Sequence, residues 1–137
     1  MTMTLEYGPS TRRIAARSDK AQTAFTFDAP ANCGGPGENP CPVDAFGASL
    51  AACMVMAMDM AADRKGFTIL GSKVEVNVES AGCGQPMLGK VDVTVYLPRR
   101  CDKDELTVLR KGAGNCPIHN SLKAEVQVDL RLENPDS

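Results

Sequence analysis

The stretch Phe46-Gly47-Ala48-Ser49-Leu50-Ala51-Ala52-Cys53-Met54-Val55-Met56-Ala57-Met58 constrains this chain more than any other. It is apolar all round at helical spacing, so a helix built from it must be central and covered on most sides. The signals at its two ends predict a helix over residues 42–65. Pro42 suits the first helical position and Asp44 complements the positive end of the dipole. Arg64 and Lys65 sit in the last turn, and Gly66 is placed for a left-handed cap. The uncharged run 45–58 is shorter than the ~20 apolar residues of a membrane span. It reads as a buried helix of a soluble, cytoplasmic protein, since residues 1–9 also lack the basic and apolar regions of a secretory signal.

The flanking sequence reads as strands. Thr23, Phe25 and Phe27 alternate with Ala24, Thr26 and Asp28, within a region 1–30 of short strands and polar turns. The segment Ala31-Asn32-Cys33-Gly34-Gly35-Pro36-Gly37-Glu38-Asn39-Pro40 has the Gly and Pro content of a loop. After the long helix, Val74, Val76 and Val78 alternate with charged and polar residues, as do Val91, Val93, Val95 and Leu97. Residues 80–89 between them, with Gly82, Gly84 and Pro86, supply the reversal. A second helix is expected over 102–111 with Gly112 as its stop, and a short third helix from Cys116-Pro117. Val126, Val128, Leu130 and Leu132, alternating with Glu125, Gln127, Asp129 and Arg131, form the last strand. The expected order is β-β-β-α-β-β-α-α-β, an α+β class with mainly antiparallel sheet around a long central helix. At 137 residues, one domain over 1–137 is expected.

Charge and aromatic content exclude an obvious nucleic-acid partner. The chain has 15 basic and 17 acidic residues, a net charge of −2, no Trp, two Tyr and four Phe. It offers neither a basic footprint nor stacking platforms. Six cysteines are the chemically informative residues. None lies in a C-x-x-C pair and there is one histidine, His119, so a structural zinc site is not expected. Cys33, Cys41, Cys83 and Cys101 lie in loops and turns and read as passive thiols. Cys53, in the middle of the apolar helix, is either a small core hydrophobe or a thiol activated by a cation or donor network. Cys116, just before Pro117, is either a plain cap or a thiol favoured as thiolate by the helix N-terminus.

Two segments resemble a known family. Pro42-Val43-Asp44-Ala45-Phe46-Gly47-Ala48-Ser49-Leu50-Ala51-Ala52-Cys53 is similar to the P-x-E-L-L-x-A-A-L-A-A-C helix of the OsmC/Ohr proteins (osmotically induced protein C and organic hydroperoxide resistance). Cys116-Pro117-Ile118-His119-Asn120-Ser121-Leu122 is similar to that family's C-P-V-H-x-S-L motif. Asp28-Ala29-Pro30 with Gly34-Gly35, and the order of elements, also fit, so the resemblance covers nearly the whole chain. The resemblance implies a thiol peroxidase in which Cys53 attacks the peroxide and Cys116 resolves the product. It implies an external dithiol reductant, no metal or prosthetic group, and a homodimer with its sites at the subunit interface. It also implies a thiolate-stabilising arginine from an N-terminal strand, Arg12, with Arg13 as the neighbour able to substitute. The carboxylate departs from the Ohr pattern: Val43 stands where Ohr proteins have Glu, and Asp44 matches the acid one place later in OsmC-like relatives. Phe46, Leu50 and Met54 are the residues expected to bind an alkyl or lipid-like hydroperoxide, with Met56 and Met60 on the same apolar flank; the other reading of that stripe is ordinary core packing. The alternative on the same fold is a slow redox-sensing or small-molecule-binding dimer.

Overall fold

A computed structural model describes residues 2–20, 24–79, 82–85, 87–122 and 126–132. The expected strand residues Thr23 and Glu125 and the turn residues Ser80 and Pro86 fall outside the described residues. Strands β1 (Met3–Tyr7), β2 (Arg13–Ser18) and β3 (Ala24–Asp28) are followed by helix α1 (Pro42–Asp63). Then come β4 (Lys73–Val78), β5 (Val91–Leu97), α2 (Lys103–Ala113), α3 (Pro117–Asn120) and β6 (Val126–Leu132). This is the expected order in an α+β fold, with one turn of 3-10 helix, Ala31–Cys33, added in the Gly/Pro loop. The chain divides into two compact units, residues 1–46 with 82–84 and residues 47–81 with 85–137.

In the first unit β1, β2 and β3 form an antiparallel meander, with Tyr7 opposite Ile14 and Arg13 opposite Asp28. Asp28 is 1% exposed and could not stay charged there without partners. Arg13 supplies them, Nε and Nη2 donating to the two carboxylate oxygens at 2.7 and 3.0 Å. The backbone N–H groups of Glu38 and Asn39 and the Asn39 amide donate to Oδ2 at 3.1, 2.9 and 3.1 Å. Arg13 Nη2 also reaches Glu38 at 2.9 Å. The loop 31–40 is therefore tied to the end of β3 by one buried carboxylate. Two of the loop cysteines differ from the reading as passive thiols. Cys33 and Cys83 are joined by a disulfide, their Cα atoms 5.7 Å apart across 50 residues of sequence. Spacing gave no hint of it, because the pairing depends on where a distant turn is placed.

The second unit holds the rest of α1 and a mixed sheet in the order β4-β5-β6. The expectation of mainly antiparallel pairing holds for β4 with β5, whereas β5 and β6 run parallel, Val93 opposite Val128. A parallel neighbour requires a crossover, and α2 with α3 provides it. The alternation in β5 is as read: Val91, Val93, Val95 and Leu97 are buried and the residues between them are not. Each such side chain contributes about 1.5–3 kcal/mol by leaving water. Asp102 caps α2 through a capping box with Glu105, whose N–H it accepts at 2.8 Å while the Glu105 carboxylate accepts the Asp102 N–H at 3.1 Å.

Helix α1 is stopped by Gly66 as expected, but it ends at Asp63, so Arg64 and Lys65 follow its last turn instead of lying in it. The Phe67 N–H donates to the Ala62 carbonyl and the Gly66 N–H to the Asp63 carbonyl, around Gly66 at φ 83°. That is the paired bond pattern of a glycine-stopped helix. Its burial is narrower than its composition implied. Gly47, Leu50, Ala51, Met54, Met58, Ala61 and Ala62 are covered, but Met56 and Met60 are 62% and 58% exposed. The expectation of cover on most sides is corrected: the partners within one chain cover one stripe and leave an apolar stripe open. Among the described residues α1 is also the one helix with the length and apolarity of a membrane span, and its covered stripe packs against protein.

Gly112 is corrected as well. It lies inside α2 rather than stopping it, because a β-carbon there would sit 2.8 Å from Ala61 Cβ and 2.9 Å from Met58 Cα. The absence of a side chain lets α2 lie directly on the α1 backbone. We predict that Gly112→Ala costs about 2–3 kcal/mol, since overpacking against an unyielding backbone exceeds the ~1 kcal/mol helix-propensity gain. A urea midpoint equal to or above that of the wild type would contradict this.

Candidate active site

Cys53 lies halfway along α1, and Cys116 is the N-cap residue of α3. Residue 117 is proline, which occupies the first helical position without an N–H. The next two N–H groups of a helix start lack intrahelical partners. Here they serve sulfur: the His119 N–H donates to Cys116 Sγ at 3.4 Å, and the Ile118 N–H is directed at Cys53 Sγ. The two thiols are close enough for Cys116 to act on the Cys53 proton. Residues sixty-three positions apart are thus brought into contact, Cys116 fully buried and Cys53 partly exposed.

The Cys53 thiol is pushed above the ordinary cysteine range, first by its hydrogen bond with Cys116 and then by burial. The Ile118 N–H acts in the opposite direction by favouring the thiolate. Beside Cys53 runs an open groove of about 680 Å³, walled by Ala52, Met56, Ala57, Met60 and Pro117. Met56 and Met60 belong to the flank expected from the sequence, but Leu50 and Met54 do not reach this groove. They are 0% and 1% exposed, on the opposite, covered side of α1, so the expectation that they bind substrate is corrected to core packing. Phe46, half-buried, is counted with the first unit.

The other expected residues have local partners in the first unit. Arg12 Nη1 donates to the Cys33 carbonyl at 2.7 Å, and Arg13 is held by Asp28 and Glu38. Asp44 accepts the Cys41 N–H at 3.1 Å while the Ala45 N–H bonds the Cys41 carbonyl, so Asp44 fastens the start of α1. Cys41 and Cys101 are free thiols, and burial pushes that of Cys101 up. Among the described residues no three His, Cys, Asp or Glu side chains gather as a metal site. Two participants escaped the sequence reading. The Ile118 N–H was legible only as part of a helix start, and Arg64, which lines the groove, read simply as a helix-ending cation.

An α+β fold with a dithiol between the middle of its long helix and the start of a short one defines the class of protein. The sequence matches the family model of OsmC-like proteins over residues 35–131, and the chain belongs to that family. The comparison with curated proteins found no match. A Psychrobacter arcticus 273-4 protein assigned to the osmotic stress and detoxification response superposes with a TM-score of 0.87 at 22% identity, over 96% of each chain. An OsmC-like protein of Mycoplasma pneumoniae gives 0.78 at 21% identity, over 97% of this chain and 96% of that one. An organic hydroperoxide resistance protein of Elizabethkingia anophelis gives 0.73 at 20%, over 95% of this chain and 94% of its own. At these identities the likeness is one of fold.

Proposed function

We propose that this protein is a thiol-dependent peroxidase that reduces organic hydroperoxides to alcohols through Cys53 and Cys116. One observation carries the reading: Cys53 lies beside a second thiol, Cys116, and borders an open, mostly apolar groove. The Cys53 thiolate attacks the distal peroxide oxygen, forming an S–O bond as the O–O bond breaks. The alkoxide leaves and takes a proton to become the alcohol, and Cys53 is oxidised to the sulfenic acid. Cys116 then attacks the Cys53 sulfur, forming the disulfide and releasing hydroxide, which is protonated to water. An external dithiol returns both sulfurs to thiols by exchange. No metal or prosthetic group takes part in this cycle.

The apolar groove wall favours alkyl or lipid-like hydroperoxides over hydrogen peroxide. The family's members named organic hydroperoxide resistance proteins support the same chemistry. We further propose a cytoplasmic homodimer with active sites at the subunit interface. The open stripe of α1 with Met56 and Met60 supports such an assembly, since a contiguous apolar face is rarely left to water.

The test is a disulfide map by mass spectrometry after one equivalent of cumene hydroperoxide. A Cys53–Cys116 linkage is expected, and its absence with Cys53 unmodified overturns the proposal. In Cys116→Ser, one turnover and an accumulating sulfenic acid at Cys53 are expected, with steady-state rate in a dithiol-coupled assay reduced by about 100-fold or more. A second reading, slow redox sensing, is favoured by the raised Cys53 thiol. Disulfide formation without dithiol-driven turnover would select it.

A further inference from the structure

A second cavity, of about 200 Å³, lies on the covered side of α1. Met54, Met58, Ala113, Val128 and Leu130 wall it, and Arg110 and His119 are the two polar side chains that line it. None of these residues lines the groove beside Cys53 or belongs to the open Met56 and Met60 stripe assigned to subunit contact. All of them lie in the second unit, and among the described residues no carboxylate lines the cavity.

The backbone around the cavity is already satisfied. At the end of α2 the N–H groups of Gly114, Asn115 and Cys116 take the carbonyls of Lys111, Gly112 and Ala113 at 3.1, 3.0 and 3.3 Å. The Asn120 amide donates to the Gly114 carbonyl at 3.0 Å. The two polar side chains are not. The Arg110 guanidinium, exposed on the last turn of α2, has no hydrogen-bond or ion-pair partner among the described residues. His119 is half-buried, and its Nδ1 is shut off from water without a hydrogen-bond partner. A buried donor without an acceptor is the rarer defect in folded proteins, so the neutral ring keeps its hydrogen on Nε2. The imidazolium carries a hydrogen there as well, and Nε2 is a donor in either form.

We infer that this cavity is a binding site for a small monocarboxylate with a short apolar chain. Arg110 and His119 Nε2 donate charge-assisted hydrogen bonds to the carboxylate, and the chain lies against Met54, Met58, Val128 and Leu130. An inorganic anion would leave that wall facing water, and a plain hydrocarbon would leave both donors without an acceptor. The volume sets the size. At ~30 Å³ per water in the liquid, the cavity holds the equivalent of about seven waters, which suits a ligand of roughly seven non-hydrogen atoms such as pentanoate. Because the His119 backbone N–H serves Cys116 Sγ, the occupied site adjoins the dithiol without sharing its groove. The inference does not depend on the peroxidase reading.

The experiment titrates protein carrying methyl-labelled methionine with pentanoate and follows the methyl signals by NMR. Pentanamide, with the same chain and nearly the same shape but no charge, and acetate, with the charge but almost no chain, are the controls. Saturable shifts at Met54 and Met58 are expected for pentanoate, with a Kd of about 1 mM. Pentanamide should bind at least about fivefold more weakly and acetate at least about tenfold. Arg110→Ala is expected to weaken pentanoate about tenfold and Arg110→Lys less, since the ammonium keeps the charge but loses the fork. His119→Phe, which keeps a ring but no donor, should weaken it about threefold. Equal affinity for pentanoate and pentanamide overturns the inference, as does acetate binding as tightly as pentanoate. So do shifts confined to Met56 and Met60, or pentanoate affinity unchanged in Arg110→Ala. The amide and acetate comparisons use the unaltered protein, so they decide the matter even where a variant disturbs α2 or α3.

Discussion

Cys53→Ser is expected to reduce dithiol-driven hydroperoxide consumption to the background rate, a loss of at least about 1,000-fold. The reaction needs a soft, polarisable anion able to attack oxygen and displace alkoxide, and a serine hydroxyl is neither ionised nor nucleophilic enough at neutral pH. The substitution keeps the size and hydrogen-bonding capacity of the side chain on a helix whose covered stripe excludes residue 53, so the fold should survive. Unchanged thermal stability with lost activity is therefore the informative result. Cumene hydroperoxide consumption coupled to dithiol oxidation measures it, and equal rates for variant and wild type would remove the peroxidase assignment. The pH profile should follow the thiol. Because Cys116 and burial hold the Cys53 thiol up, the wild-type rate should still be climbing above pH 8–9, the range in which an ordinary cysteine passes its midpoint. A rate that levels off in the acidic range would show that another cation has taken control of that sulfur.

The second large effect is on stability. Asp28→Ala removes the carboxylate that satisfies Arg13, Asn39 and two loop N–H groups in a buried position. Those donors would be left without their acceptor, which is the costly half of a broken buried pair. A fall in Tm of roughly 10 °C is expected, with a smaller fall for Asp28→Asn, which keeps the shape and one acceptor. The pH dependence has a definite sign. Arg13 foremost, then Asn39 and the Glu38 N–H, hold the Asp28 carboxyl well below the usual carboxylate range. A depressed folded-state pKa gives stability that is complete above the unfolded value, about pH 4, and is lost as the pH falls further. Wild-type Tm should thus drop more steeply than that of Asp28→Asn below pH 4. Parallel curves would mean that the carboxylate contributes nothing through its charge.

Most of the architecture was legible because periodicity reports burial. The alternation of Val91, Val93, Val95 and Leu97 marks a central strand whichever way its neighbours run, and for that reason it did not reveal that β6 pairs parallel to it. Local chemistry likewise gave the start of α1 and the Gly66 cap, since those bonds close within one turn, while the helix itself ends at Asp63, two residues before the expected end. Close packing was not legible. Gly112 looks like a helix stop in sequence, and only the approach of Ala61 and Met58 shows why the side chain is missing. At the site, both sulfurs are legible from the two motifs, whereas of the two readings of the apolar stripe Leu50 and Met54 follow the core one. Leu50 and Met54 are as apolar as Met56 and Met60, and nothing in a helix that is greasy all round says which stripe the sheet will cover. The Cys33–Cys83 bond depends on a contact fifty residues distant and leaves no local pattern at all.

That bond also changes the topology of the proposed catalytic cycle. In sequence the two pairs interleave, 33 with 83 and 53 with 116, rather than nesting. While Cys53 and Cys116 are reduced, a protease that nicks the backbone between 83 and 116 severs the chain into two pieces. Once they are joined, every peptide bond from 33 to 116 is bridged by at least one cystine, and a single cleavage anywhere in that span releases nothing. The oxidised enzyme would then outlast damage that dismantles the reduced one.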